Sequence, residues 1–261
     1  MSVTASALFD LTGQRALVTG ATGGLGRAMV EALASQGAQV VASDRDAEAC
    51  EAAANAWRAQ GLNVQARPAD LLDMDDVNRL ADAVLNEHGG VDVIVHNAGI
   101  QGPAGPLGNV SADDWDAVMT VNLRSAHVLT SRLVPAMAGR GGGSVVLLSS
   151  IAALRGNRSI GLYGLSKAAL SQMARNLAVE WGPSGVRVNA IAPGLIRTPL
   201  ASGLMADATF MERRLALTPL RRVGEPHEVA GVVLMLAGKA GGFITGQTLV
   251  VDGGTLISDG N

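Results

Sequence analysis

Short, nearly continuous apolar runs rich in β-branched residues alternate along the chain with longer segments in which apolar positions recur every three or four residues. The first kind predicts strands over 15–19, 39–43, 63–67, 91–96, 144–149, 186–191 and 247–252. The second predicts helices over about 24–36, 46–60, 73–88, 111–138, 161–181 and 226–238. Strands that read as unbroken apolar runs, without polar alternation, are buried on both faces, as in a parallel sheet covered by crossover helices. The expected fold class is therefore α/β: a doubly wound, three-layer sandwich around a seven-stranded parallel sheet. A TIM barrel would need an eighth strand. No linker, repeat or shift in composition divides the chain, so residues 1–261 are read as a single domain. The least regular stretch, about 195–225, follows a strand's carboxyl end, where this architecture puts ligand-contacting loops, and is expected to act as a substrate lid.

Composition narrows the functional classes. With 23 acidic against 20 basic residues, no global field favours nucleic acid, and no basic run suggests a charged membrane patch. No apolar run is long enough to span a bilayer, the N-terminal MSVTASALFDLTGQR lacks the pattern of a secretory signal, and the terminal SDGN matches no short receptor-read address. A single cysteine, Cys50, rules out an internal disulfide framework and fits a reducing compartment. A cytoplasmic location, with neither nucleic acid nor membrane as partner, is the expectation. The four histidines, His88, His96, His127 and His227, lack ligand spacing, so no metal is expected.

The chemistry begins at LVTGATGGLGRAMVEALASQGA, which reads strand, glycine-rich turn, helix. Gly20, Gly24 and Gly26 let backbone approach a pyrophosphate, and the N–H groups at the following helix N-terminus stabilise its charge. Glycine spacing alone would equally suit a flexible turn. Position decides it, because the loop follows the first strand and Asp44 comes about twenty residues later, at the end of the second. A carboxylate there accepts hydrogen bonds from a ribose 2′-hydroxyl and repels a 2′-phosphate, which favours NAD over NADP. Asp44 would alternatively cap the next helix, and Arg45 beside it is a guanidinium able to pair with a 2′-phosphate.

These motifs, in this order, resemble the short-chain dehydrogenase/reductase family. TGATGGLG (19–26) fits its Thr-Gly-x-x-x-Gly-x-Gly motif, and HNAG (96–99) stands where the family usually has Asn-Asn-Ala-Gly. YGLSK (163–167) fits its Tyr-x-x-x-Lys motif, and APG with IRTPL (192–200) fits the segment after the sixth strand. The departure is His96 in place of asparagine. The resemblance spans about 11–254 and implies a Rossmann-type oxidoreductase fold.

On a helix, Tyr163 and Lys167 share a face. A free tyrosine is a poor base at neutral pH, and a nearby ammonium favours its phenolate. Such a pair can take a proton from an alcohol, or return it to a carbonyl. The resemblance implies that Asn122, Ser150, Tyr163 and Lys167 are the catalytic set, with Ser150 rather than Ser149 as the serine. Without it, Asn122 reads equally well as a polar residue inside a helix bonding a backbone carbonyl. The resemblance also implies cofactor contacts from Gly20, Thr22, Gly24, Leu25 and Gly26; from Asp44 and Arg45; from Asp70 and Leu71; and from Asn97, Ala98 and Gly99. Tyr163 and Lys167, and Pro193, Gly194, Ile196 and Thr198 after the sixth strand, complete them. Asp70 would alternatively cap a loop.

The implied pocket lies between the loop after Ser150 and the lid, where Leu154, Leu195, Leu204, Met205, Phe210 and Met211 suggest apolar walls, or simply pack the lid onto the body. Arg155 and Arg158 flank it, as ligands for a carboxylate or polyol or as solvated loop residues. The partner expected is a small alcohol or ketone, in a homo-oligomer that the resemblance makes a tetramer. The function expected is NAD-dependent oxidation of a secondary alcohol on its CH–OH group. An NADPH-dependent 3-oxoacyl thioester reductase and a non-catalytic nicotinamide-binding redox sensor are the alternatives.

Overall fold

The computed structural model describes residues 4–258; the initial MSV and all of SDGN but Ser258 lie outside that range. Its strands are β1 (Arg15–Thr19), β2 (Gln39–Ser43), β3 (Val64–Ala66), β4 (Val93–His96), β5 (Gly143–Leu148), β6 (Val186–Pro193) and β7 (Thr248–Val251). They form one parallel sheet in the order β3-β2-β1-β4-β5-β6-β7. The chain winds outward from β1 to β3, then crosses back to place β4 on β1's other side. The loops leaving β1 and β4 therefore diverge and open a crevice between them, the position where doubly wound sheets bind ligands.

The helices are α1 (Ala5–Phe9), α2 (Gly24–Ser35), α3 (Ala47–Ala59), α4 (Met74–His88), α5 (Ala112–Met119), α6 (Ser125–Gly139), α7 (Gly161–Trp181), α8 (Ser202–Ala206), α9 (Ala208–Ala216) and α10 (Pro226–Ala237). Side chains alternate across the sheet, so Ala16 and Val18 enter a core with α2, α3 and α10, while Leu17 enters one with α4, α6 and α7. Local signals set the ends. Asp46 caps α3 by accepting from Ala49 N, Asp73 caps α4, and Gly89, at φ 65°, terminates α4 in a left-handed turn.

Two expectations about helices need correcting. The segment 111–138 is not one helix: the bonding widens to a π-helical turn at Thr120–Arg124, between α5 and α6, and Asn122 sits in it. Such turns insert a residue and re-aim the side chains they carry. The segment 195–225 is also more regular than its sequence suggests. A 3-10 turn at Pro199–Ala201 leads into α8 and α9, and Asp207 caps α9 by accepting from Phe210 N. Among the described residues no helix is long and apolar enough to cross a membrane.

Candidate active site

The glycine loop lies at the mouth of the crevice. Gly20 has φ +65°, and a Cβ there would stand 2.8 Å from Ala98 Cα, so the two loops are still in backbone contact just past the ends of β1 and β4, before they diverge. Asn97 fastens that contact by donating Nδ2–H to the carbonyls of Thr19 (3.1 Å) and Gly20 (2.9 Å), and Ala98 N donates to Thr19 Oγ1 (3.2 Å). A Cβ on Gly26 would fall 1.9 Å from the Gly20 carbonyl oxygen, so α2 starts as close to β1 as backbone allows. No side chain caps α2 at Gly23, which leaves its first N–H groups free to receive an anion. Thr198 and Pro199 close against Gly24, where an added Cβ would meet them at 3.0 and 2.9 Å. This cradle of close backbone and free helix donors fits the pyrophosphate of a dinucleotide.

Asp44, partly buried, does not cap α3. Its Oδ2 accepts from both Thr22 N (2.9 Å) and Thr22 Oγ1 (2.6 Å), and its Oδ1 accepts from Arg45 N (2.8 Å). The carboxylate is thus held at the loop's edge, while the Arg45 side chain is exposed. Asp70 is exposed and makes a short turn by accepting from Leu72 N (2.9 Å), as the loop-cap alternative describes, and Leu71 is buried beneath it. Pro193 and Ile196 are buried, and Gly194 N donates to Val251 O (2.9 Å), tying the end of β6 to β7.

Ser150, Tyr163, Lys167 and Asn122 converge where β4 and β5 end. Gly164 is what lets Tyr163 come so near: a Cβ on it would meet the Ala152 carbonyl oxygen at 2.8 Å, so α7 packs directly on the 3-10 turn Ile151–Ala153 that Ser150 caps. Lys167, 3% exposed, donates Nζ–H to Leu148 O (2.7 Å) and lies 5.5 Å from the Tyr163 ring centre. Burial lowers the Lys167 ammonium to about 8. Burial raises Tyr163, and the Ser150 hydroxyl beside the phenol opposes this in smaller measure. Desolvation therefore outweighs the stabilisation of the phenolate that the Tyr–Lys spacing suggests.

Asn122 is fully buried and acts across elements. Its Oδ1 accepts from Ile100 N (2.8 Å), and its Nδ2 donates to Ile100 O and Ser166 Oγ (both 2.9 Å), so it ties the loop after β4 to α7. Gly99 passes between: a Cβ there would be 3.0 Å from Lys167 Nζ and 3.2 Å from Asn122 Oδ1. Ser149 faces away from the crevice, donating to Lys167 O (2.8 Å) and pairing with Ser171 (2.9 Å), and so braces α7. His96 is fully buried beside Ser125, with Nε2 2.9 Å from its Oγ, and the Ser125 hydroxyl donates to Val121 O in the π-helical turn. Burial first, and the Lys167 charge second, push the imidazole down to about 3, so it is neutral. The supporting roles of Ser149, Ser166 and Ser125 have no signature in the sequence, since each depends on which elements pack together.

Fold and cleft together define an oxidoreductase of the nicotinamide-binding type. Residues 20–255 match a family model described as Enoyl-(Acyl carrier protein) reductase. The chain is 41% identical to Dehydrogenase/reductase SDR family member 4 of Bos taurus, over 92% of this chain and 86% of that protein. It is 35% identical to Gluconate 5-dehydrogenase of Gluconobacter oxydans (strain 621H), over 96% and 98% respectively. The crystal structure of a gluconate 5-dehydrogenase from Burkholderia cenocepacia J2315, in complex with NADP and tartrate, superposes with a TM-score of 0.93 at 32% identity, covering 98% of this chain and all of that one. The chain belongs to the short-chain dehydrogenase/reductase family.

Proposed function

We propose that the protein is an NAD-dependent dehydrogenase that oxidises a secondary alcohol to its ketone, or runs the reverse, with Tyr163 as general acid/base. The observation that carries this reading is the convergence of Ser150, Tyr163, Lys167 and Asn122 beside a glycine loop shaped for a dinucleotide. The nicotinamide, when bound, exchanges a hydride with the substrate carbon. The chain's own part is orientation and proton handling. The Ser150 hydroxyl hydrogen-bonds the reacting oxygen, and the Tyr163 phenol takes or returns its proton. Lys167 supplies the neighbouring cation, and Asn122 holds the wall formed by Gly99 and Ile100 in place. The remaining cofactor contacts are those named from the sequence, with Asp44 at the adenosine ribose.

Asp44 supports NAD although the Burkholderia structure holds NADP, because its carboxylate is fixed at the end of β2, where a 2′-phosphate would meet like charge. The outer faces of α5 and α7 support a homo-oligomer, as a tetramer. Trp115 is 41%, Leu165 45% and Val179 81% exposed, and a cavity of about 850 Å³ runs between α6 and α7. Sedimentation as a monomer would count against it. One buried cysteine fits the reducing cytoplasm. The test is reduction of NAD across secondary alcohols, polyols, hydroxysteroids and hydroxy acids, with Tyr163→Phe as control. Turnover on one group, absent in the variant, supports the reading; tight NADH binding with no turnover favours a sensor.

A further inference from the structure

His96 is the last residue of β4, the central strand, where it stands in register between Thr19 of β1 and Leu147 of β5. Its imidazole is fully buried, and among the described residues Nδ1 makes no hydrogen bond with another residue. A buried polar ring with one nitrogen unsatisfied is costly, so packing alone does not account for it. The bond it does make runs from Nε2 to Ser125 Oγ, at 2.9 Å. Because the Ser125 hydroxyl gives its own proton to Val121 O (2.7 Å), the serine oxygen accepts from the ring. The tautomer is thereby fixed, with the proton on Nε2.

Ser125 directly follows the π-helical turn Thr120–Arg124. In an α-helix its N–H would go to Val121 O, four residues back; here it goes to Thr120 O, five back. The Ser125 hydroxyl takes the place of that missing donor on Val121 O, and His96 in turn holds the hydroxyl. The widened turn carries Asn122, which ties Ile100 to Ser166, and the Ser166 hydroxyl donates to Tyr163 O (2.8 Å). A run of hydrogen bonds, crossing the π-helical turn, therefore joins the centre of the sheet to the backbone of the tyrosine, and His96 anchors it. A return to α-helical spacing would rotate Asn122 relative to α6 by about 100°, one residue's step, and carry its amide away from Ile100.

We infer that His96 is a positioning residue: through Ser125 it holds the π-helical turn in the form that presents Asn122 to Ile100 and Ser166. It thereby keeps the wall at Gly99 and the helix bearing Tyr163 and Lys167 in their working arrangement. It acts through Asn122 and not on the reacting atoms. The effect on turnover rests on the reading of the cleft as a dehydrogenase site; the effect on the π-helical turn does not.

The test is amide hydrogen exchange of the full chain, read by mass spectrometry, in the wild type, His96→Leu, His96→Gln and Ser125→Ala, with kcat and KM for NAD on an alcohol that the wild type turns over. Leucine removes the donor, whereas glutamine keeps an N–H at the reach of Nε2. Peptides spanning 119–126 are expected to exchange about tenfold or more faster in His96→Leu and Ser125→Ala, the scale of one hydrogen bond, with peptides of β1 unchanged. In both variants kcat should fall by a similar factor at nearly constant KM for NAD, and His96→Gln should recover exchange and kcat together. With both losses combined in one chain, the effect should be no larger than either alone, since they break the same link. Wild-type exchange over 119–126, faster exchange spread evenly over the chain, additive losses, or a glutamine no better than leucine would overturn the inference. If His96→Leu does not fold, Ser125→Ala, which deletes only a hydroxyl, decides it alone. Absence of turnover on any alcohol by the wild type sinks the dehydrogenase reading, and the exchange data still decide this one.

Discussion

Thr22 gives both its backbone N–H and its hydroxyl to a single oxygen of Asp44, at 2.9 and 2.6 Å. The glycine loop and the end of β2 are thereby locked together, and the carboxylate is oriented before any cofactor arrives. A fixed carboxylate discriminates more sharply than a mobile one, because it cannot swing away from a 2′-phosphate. NADH is therefore expected to bind at least about tenfold tighter than NADPH, the scale of one charge-assisted hydrogen bond. Asp44→Ser should remove most of that difference. Equal dissociation constants in the wild type, measured by fluorescence titration, would show that Asp44 does not select the cofactor.

Tyr163→Phe keeps the ring that packs beside Lys167 and deletes only the hydroxyl. NADH binding should change little while turnover falls by roughly 10²–10⁴-fold, the usual worth of a positioned general acid/base. Retained turnover in a stopped assay would remove the phenol from the mechanism.

The sheet was legible because parallel strands buried on both faces read as apolar runs, and the strand expected at 15–19 is β1 to the residue. Helix ends were legible where a local residue sets them, as Asp73 and Gly89 do for α4. The π-helical turn around Asn122 was not. A change from i→i−4 to i→i−5 bonding leaves no side-chain pattern, and here it serves contacts to Ile100 and Ser166 from distant elements. α8 and α9, of five and nine residues, are too short to show a helical period. The motif residues could be named from order and spacing, whereas the bracing of α7 by the Ser149–Ser171 pair depends on which elements pack together.

Two neighbouring glycines should respond differently to alanine. At Gly26 the new Cβ would lie 1.9 Å from a backbone oxygen that cannot move without shifting the loop, whereas at Gly23 the nearest atom is 3.5 Å away and φ is −70°. Gly26→Ala is expected to cost about 1–3 kcal/mol or more and to weaken NADH binding, while Gly23→Ala should leave stability nearly unchanged. Thermal melts of the two variants decide it, and equal melting temperatures would mean that the close start of α2 is not a strict requirement.

His96 gives the fold an acid-sensitive point. Its imidazole is held neutral, with a pKa pushed down to about 3 by burial and by Lys167, whereas in the unfolded chain it titrates near 6.5. Between those values the unfolded state binds the extra proton, so stability is fully present above pH 6.5 and is lost as pH falls toward 3. At pH 4.5 the loss from this one group is about 2–3 kcal/mol. In urea unfolding at pH 7 and pH 4.5, the wild type should lose that much more stability than His96→Asn, whatever the variant's starting stability. Equal losses in the two proteins would mean that His96 takes up its proton in the folded state, and that its bond to Ser125 opens readily to water.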